Sequence, residues 1–370
     1  MKKILILTAG YGEGHNTAAG NVRDALMAEA PGAVEVEVLD LMAQTHRRIN
    51  EVLRKAYLTT VERAPALWEK LYGMIDSGNA TTDALRLLKP MRQALEARLH
   101  TLKPWAVVST YPVYNYLIDA LYPKAAQRPF AQVTVVTDSI TVNSIWHRCG
   151  SDALIVPNPQ TAAVLERAGV RSGVHTLGFP VSLRFSGEGR HQKQPGAGER
   201  WRVLYGVKAG QREAAEVVEA LLQRGDVDLT VTVGRDEELR RRLESVAKGR
   251  PLELLGWTDR MPELMEAAHL YIGKAGGATV QEALAACTPM LITQVIPGQE
   301  EGNARLILEN ACGSLVDTPG FLPSVVAGAF AHGGALWKCW HEGATRLSRP
   351  HAALDIARLV LATPGPRQDG

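Results

Sequence analysis

The chain has 370 residues, 41 basic against 39 acidic side chains and a formal charge of +2. With 46% hydrophobic and 22% charged residues it has the balance of an ordinary folded protein, which excludes a disordered chain, a collagen and a highly charged nucleic-acid coat. The length predicts two domains with ample core. The four cysteines, Cys149, Cys287, Cys312 and Cys339, are far apart and form no CxxC pair. Neither a disulfide framework nor a zinc site is expected, and reduced thiols in a cytoplasmic protein are the simple reading. Met1-Lys2-Lys3 precedes only a short apolar run, so no secretory leader is expected. No apolar run reaches the roughly 18 residues that span a bilayer, which leaves binding at a membrane surface open.

The first forty residues read as a βαβ unit. Ile4 to Leu7 is a continuous aliphatic run of the kind buried on both faces of a parallel sheet. A glycine-rich turn, Ala9 to His15, leads into a helix with apolar positions near Ala18, Val22, Ala25 and Leu26. Val34 to Leu39 alternates with Glu35 and Glu37, as a strand nearer an edge does. Strands recur at Trp105 to Ser109 and Gln132 to Thr137, and strands alternating with helices imply a doubly wound parallel sheet.

Residues 41–104 interrupt that rhythm. Ile49, Val52, Leu53, Ala56 and Tyr57 fall at helical spacing, and so do Trp68, Leu71, Tyr72 and Ile75. Residues 41–105 hold 11 Lys and Arg against 6 Asp and Glu, the one sizeable basic region of the sequence. A helical insertion with aromatics among basic residues suits an anionic lipid surface; an amphipathic cap over the sheet has the same pattern. The stretch 187–200 has linker composition. A second α/β domain begins near residue 201, with strands at Arg202 to Tyr205, Leu229 to Val233, Leu252 to Leu255, Leu270 to Ile272 and Met290 to Ile292. A last amphipathic helix runs from Ala352 to Leu361, and Pro364 to Gly370 should fray. The expected organisation is thus 1–186, a linker 187–200, 201–350, and a terminal segment 351–370. Ligands of such folds bind where carboxyl-end loops meet, here at a cleft that the two domains are expected to face.

Four segments carry candidate chemistry. Gly10-Tyr11-Gly12-Glu13-Gly14-His15 follows a strand and opens a helix, where backbone approaches a ligand closely and the helix start favours an anion. Its spacing is not the dinucleotide GxGxxG, and the next strand ends at Asp40 without a convincing ribose partner, so a nicotinamide site is not indicated. A helix start would hold His15 neutral, as a general base requires; a solvent-facing histidine is the plain alternative. Gly273-Lys274-Ala275-Gly276-Gly277-Ala278-Thr279-Val280-Gln281-Glu282 follows a strand in the same way, and amides at Gly276 to Thr279 would meet a phosphate. Glu282 is placed for a ribose diol, although Thr279-x-x-Glu282 also spells a capping box. Gln299, Glu300 and Asn303, after Pro297-Gly298, suit sugar hydroxyls or form a plain polar loop. Asp138, at a strand's carboxyl end, is a ligand or a loop anchor, and Trp146 is a core residue by type. Asp226-Val227-Asp228 is read as a turn rather than a metal site, and Arg240-Arg241-Arg242 with Glu237, Glu238 and Glu244 as a solvated helix face.

TAGYGEGHNTAA, TDSITVNSIW, GFPV at 178–181, GWTDRMPELMEAAHLYIGKAGGATVQEALA and IPGQEEGNA together resemble one family. It is that of the monogalactosyldiacylglycerol synthases and processive diacylglycerol glucosyltransferases, related to the N-acetylglucosaminyltransferase of murein synthesis. The resemblance runs from residue 4 to about 360 and is most specific over 256–304. It implies a GT-B fold of two Rossmann-like, doubly wound domains. It implies an inverting transferase that moves a hexose from a UDP-sugar to diacylglycerol, with no metal, no further cofactor and no nucleic acid. His15, or a nearby carboxylate, would be the catalytic base. Gly14, Gly206, Lys208, Gly276, Gly277, Ala278, Thr279, Glu282, Gln299, Glu300 and Asn303 would serve the donor, and Tyr11, Asp138 and Trp146 the acceptor. The insertion 41–104 would meet the inner face of the cell membrane, and the last helix would cross back to the first domain. Two departures stand out: Gly206-Val207-Lys208-Ala209-Gly210 has fewer glycines than the family's loop, and Asn143 stands where the family has a histidine. Another polyprenyl or glycolipid acceptor, a UDP-sugar 2-epimerase and a silent nucleotide-sugar binder are the alternatives.

Overall fold

Ile4, Leu5, Ile6 and Leu7 are wholly buried, as a strand flanked by neighbours and covered on both faces must be. In the computed structural model they lie in β1 (Lys2–Leu7), an interior strand with β2 (Val34–Leu39) on one side and β3 (Ala106–Ser109) on the other. The structure describes all residues except 11–12, 46–88, 188–193, 197, 208–210, 212, 248, 299 and 365–370. The first sheet continues through β4 (Ala131–Val135), β5 (Ala153–Val156) and β6 (Val174–Thr176), in the order β2-β1-β3-β4-β5-β6 and parallel throughout. The second contains β7 (Trp201–Gly206), β8 (Val227–Thr232), β9 (Leu252–Leu255), β10 (Leu270–Lys274), β11 (Met290–Gln294) and β12 (Gly313–Leu315). Its order is β12-β11-β10-β7-β8-β9, again all parallel. In each sheet the chain starts in the interior, runs to one edge, then returns to the opposite side of the starting strand. The loops after β1 and β7 therefore leave at the reversal of strand order, where open α/β sheets bind ligands.

The chain divides into two units, 1–183 with 296–302 and 351–370, and 184–295 with 303–350. In the first, α1 (Glu13–Glu29) and the terminal helix Ala352–Ala362 cover one face, with Val22, Leu26, Ile356 and Val360 packed on Ile4, Ile6 and Val133. The other face is covered by Lys89–Leu102 and Val113–Leu121. Met91, Leu95, Leu99 and Leu102 point inward at helical spacing, and Arg98 forms an ion pair with Glu37 of β2. Over 89–102 the basic segment is thus a cap on the sheet; the predicted helices around 49–57 and 68–75 lie outside the described residues. Among the described residues no helix is long and apolar enough to cross a membrane.

The second unit is built around aromatic packing. Trp201 stacks on Phe330 at 4.2 Å and meets Trp337 edge-on. Phe330 and Trp337 belong to the long helical segment Leu322–Leu347, which the sequence reading leaves without an element. It is broken at residues 331–334, where His332, Gly333 and Gly334 have positive φ. A Cβ on Gly334 would come within 2.6 Å of the Trp201 ring, so the kink and the indole stack require each other. All four cysteines are free. Asp226 and Asp228 pair with Arg224 and Arg200 at exposed positions, and Arg240 pairs with Glu244 on the helix Glu237–Ala247. The Arg240 segment is the solvated face its sequence suggests, whereas of Asp226-Val227-Asp228 only Asp226 precedes the strand, Val227 and Asp228 being the first residues of β8.

Gly302 sits at a close approach inside the first unit. Its amide donates to Thr141 Oγ1 at 3.1 Å, and a Cβ there would lie 1.7 Å from the Ser139 carbonyl oxygen. Because backbone cannot swing aside as a side-chain tip can, Gly302→Ala is expected to cost about 1–3 kcal/mol. Thermal unfolding should show a melting temperature several degrees lower; an unchanged one would mean that the 139–141 loop yields.

Candidate active site

The loop after β1 is tied down where it begins. The Gly10 amide donates to Asp40 Oδ2 at 3.0 Å, and Asp40 Oδ1 accepts from Ala43 at 2.9 Å. Asp40 is thereby committed to backbone, which agrees with its exclusion as a ribose ligand. Gly14 and His15 are the second and third residues of α1, and no atom lies within 4 Å of a Cβ on Gly14. Tyr11 lies outside the described residues.

His15 is fixed through one ring nitrogen. Nδ1 lies 2.8 Å from the Thr110 carbonyl oxygen and 3.0 Å from Thr137 Oγ1. A carbonyl only accepts, so Nδ1 carries the proton and donates, and Nε2 keeps its lone pair. Tyr111 meets the imidazole edge-on at 5.0 Å, and Trp146 lies beside it at 6.1 Å. Burial lowers the His15 pKa from 6.5 to about 4, opposed by the Thr110 hydrogen bond. The neutrality expected from a helix start is therefore present, with burial as its main cause. The result is a neutral imidazole of one tautomer, a proton acceptor at Nε2 across the physiological range.

Beside it, Trp146 is buried to 2% exposure, and its indole Nε1 donates to Asp138 Oδ2 at 2.6 Å. Trp146 is a core residue, as its type suggests, and it also faces His15. Burial raises the Asp138 pKa from 3.8 to about 6, partly offset by the indole hydrogen bond. Asn143 caps the 3₁₀ turn Ser144–Trp146 by accepting from the Ile145 amide at 3.0 Å. Its Nδ2 is buried without a partner.

The second unit offers a different surface. The helix Gly277–Ala285 begins after Gly276, whose carbonyl accepts from Val280. The amides of Gly277, Ala278 and Thr279 belong to the first turn, which has no intrahelical acceptor for them, and all three residues are partly exposed. The predicted capping box does not form: the cap is Gly276, with no side-chain hydrogen bond, and Thr279 lies inside the helix. Glu282 is thus not consumed by its own helix end. Burial raises its pKa from 4.5 to about 7. Tyr271 is pushed above its ordinary range by burial and by the nearby Glu282 charge.

Gly206, at the end of β7, and Gly273 flank that same tyrosine. A Cβ on either would come within 2.5 Å or 2.6 Å of the Tyr271 hydroxyl, so both glycines make room for a ring, a packing reason that sequence inspection does not reveal. Lys208 and Gln299 lie outside the described residues. Glu300, in the 296–302 segment of the first unit, is buried and accepts from the Ile296 amide at 3.1 Å. Asn303, in the second unit, donates through Nδ2 to the Ala275 carbonyl at 3.0 Å. That bond fixes the amide so that Oδ1 is left as a buried acceptor with no partner, which a ligand hydroxyl can fill. Among the described residues no three His, Cys, Asp or Glu side chains are grouped to hold a metal ion.

Residues 15–181 match the model of monogalactosyldiacylglycerol (MGDG) synthase, and residues 208–317 match the glycosyltransferase family 28 C-terminal domain. Monogalactosyldiacylglycerol synthase 1 of Arabidopsis thaliana is 24% identical over 376 residues, covering 96% of this chain and 70% of that protein. The processive diacylglycerol beta-glucosyltransferase of Bacillus pumilus is 26% identical over 313 residues, covering 82% and 80%. Among solved structures, MurG of Acinetobacter baumannii superposes with a TM-score of 0.66 at 16% identity, over 98% of this chain and all of that one. At that identity the likeness speaks for the fold, two parallel-sheet α/β domains of GT-B type.

Proposed function

The chain belongs to the family of monogalactosyldiacylglycerol synthases and processive diacylglycerol glucosyltransferases, and on that premise we propose that it moves a hexose from a UDP-sugar to a membrane lipid, diacylglycerol above all. The observation that carries the reading is His15: neutral, held in one tautomer, with Nε2 left to accept a proton.

In this reading the lipid hydroxyl gives its proton to His15 Nε2 as its oxygen bonds to the anomeric carbon. The bond from that carbon to the phosphate oxygen of UDP breaks, and UDP leaves with the electron pair. Attack opposite the leaving group inverts the anomeric centre. The charge growing on the phosphate is met by the amides of Gly277, Ala278 and Thr279 and by the positive end of their helix. Glu282 accepts from the ribose diol, and Asn303 Oδ1 accepts from a hydroxyl of the donor. UDP-sugar is a substrate, so the reading assigns no separate cofactor. The enzyme would work as a peripheral protein at the inner face of the cell membrane, where its acceptor is presented.

The test is incubation of the protein with liposomes containing diacylglycerol and a panel of labelled UDP-hexoses, followed by lipid separation. A labelled glycolipid is expected, and the sugar that labels it names the donor. UDP binding without labelled lipid would overturn diacylglycerol as acceptor. Label recovered only as an altered free nucleotide sugar would overturn transfer in favour of epimerisation.

A further inference from the structure

We propose that Asp138 is a positioning residue for the lipid acceptor, acting through the indole N–H of Trp146 to fix that ring beside His15. The proposal rests on the hexosyltransferase reading above and adds to it a residue that need touch neither substrate.

Two consecutive residues after β4 each hold one ring of the acceptor side. Thr137 Oγ1 meets His15 Nδ1 at 3.0 Å, and Asp138 Oδ2 accepts from Trp146 Nε1 at 2.6 Å. A shift of this chain segment would therefore move both rings together. The segment is over-determined. Ile140, a β-branched residue, stands at φ +61°, a conformation that persists only where its surroundings enforce it. Its amide donates to Thr161 Oγ1 at 2.9 Å, and Thr141 Oγ1 accepts from Gly302. Trp146 has no freedom on its far side either, since it packs with Val136, Leu154, Val156 and Leu165. The bond to Asp138 anchors the N–H edge of the indole in that packing.

A buried tryptophan needs a partner for its N–H, but a neutral carbonyl serves that purpose. A carboxylate in a site that penalises its charge is a costly choice, and it makes the bond depend on ionisation. The shift of Asp138 to about 6 arises from burial, with the Trp146 bond opposing it and no charged neighbour contributing. The titratable group seen beside the Trp146 ring is His15 of α1. His15 is neutral at that pH. Protonation of Asp138 therefore acts on the indole bond.

The test compares Asp138→Ala, Asp138→Asn and Trp146→Phe with the parent enzyme. Asp138→Ala and Trp146→Phe are each expected to raise KM for diacylglycerol about tenfold with KM for the UDP-sugar unchanged, and the double variant to be no worse than the worse single one. Asp138→Asn keeps a neutral acceptor and is expected to recover to within about threefold. In the parent enzyme KM for the lipid should rise about threefold as pH falls through about 6, and Asp138→Asn should abolish that rise. A purely structural role would lower the melting temperature of Asp138→Ala without the KM split or the pH effect, and that result overturns the proposal. Independently of turnover, the indole N–H resonance of Trp146, identified by its loss in Trp146→Phe, should shift with a midpoint near pH 6 in the parent and not in Asp138→Asn. A parent enzyme that forms no glycolipid but shows this titration overturns the function and keeps the pairing. A resonance that does not titrate overturns the pairing whatever the kinetics.

Discussion

Replacing His15 by alanine is expected to slow hexosyl transfer by about 10²- to 10⁴-fold, the usual weight of a positioned general base, while UDP-sugar affinity measured by calorimetry stays unchanged. The reason is geometric before it is electrostatic. Nδ1 is committed to Thr110 and Thr137, so only Nε2 can take a proton. At a pKa of about 4 it is unprotonated throughout the physiological range. Turnover that survives the substitution would remove His15 from its role. The same shift has a stability consequence of definite sign. Between about pH 4 and 6.5 the folded protein binds fewer protons at His15 than the unfolded chain, so this group weakens the fold as pH falls through that window. Asp138 acts oppositely: its folded pKa is raised, so its contribution weakens the fold as pH rises from about 3.8 to about 6.

The second large effect belongs to Glu282. Glu282→Gln is expected to lower UDP-sugar affinity by about 10²-fold, the scale of losing charge-assisted hydrogen bonds, and at the same time to raise the stability of the free protein above pH 7. Burial lifts this carboxyl to about 7, so its ionisation opposes folding as pH rises from 4.5 to about 7. An isosteric amide escapes that cost. At pH 5, where Glu282 is protonated, the two proteins should melt together. At pH 8 the variant should melt higher. Donor hydroxyls stabilise the carboxylate, so UDP-sugar binding near pH 6.5 should release up to about three-quarters of a proton, read from calorimetry in buffers of different ionisation enthalpy. Unchanged affinity with no proton release would take the ribose away from Glu282.

Much of this was legible in the residues themselves. The aliphatic run Ile4 to Leu7 is buried on both faces because it can pack nowhere else in water, and the alternating Val34 to Leu39 lies at the edge of the sheet. Helices begin after the two glycine-rich turns, at Glu13 and Gly277. These are short-range properties: periodicity selects strand or helix, and glycine permits the turn. The order of the elements then specified two α/β sheets, and the motifs at their turns marked out His15, Asp138 and Glu282 as candidates.

What those side chains do was decided by contacts that no local pattern encodes. The tautomer of His15 is set by Thr110, 95 positions away. Thr279-x-x-Glu282 reads as a capping box, yet the helix starts three residues earlier than a cap at Thr279 would allow, and Glu282 is not consumed by the cap. The glycines at 206 and 273 answer to the ring of Tyr271, and the break at 331–334 answers to Trp201. Sequence determined which groups stand at the carboxyl ends of the strands, because hydrophobic periodicity is a local quantity. Protonation, tautomer and free valence came only with the tertiary structure, because burial and hydrogen-bond partners are supplied by chain segments remote in sequence.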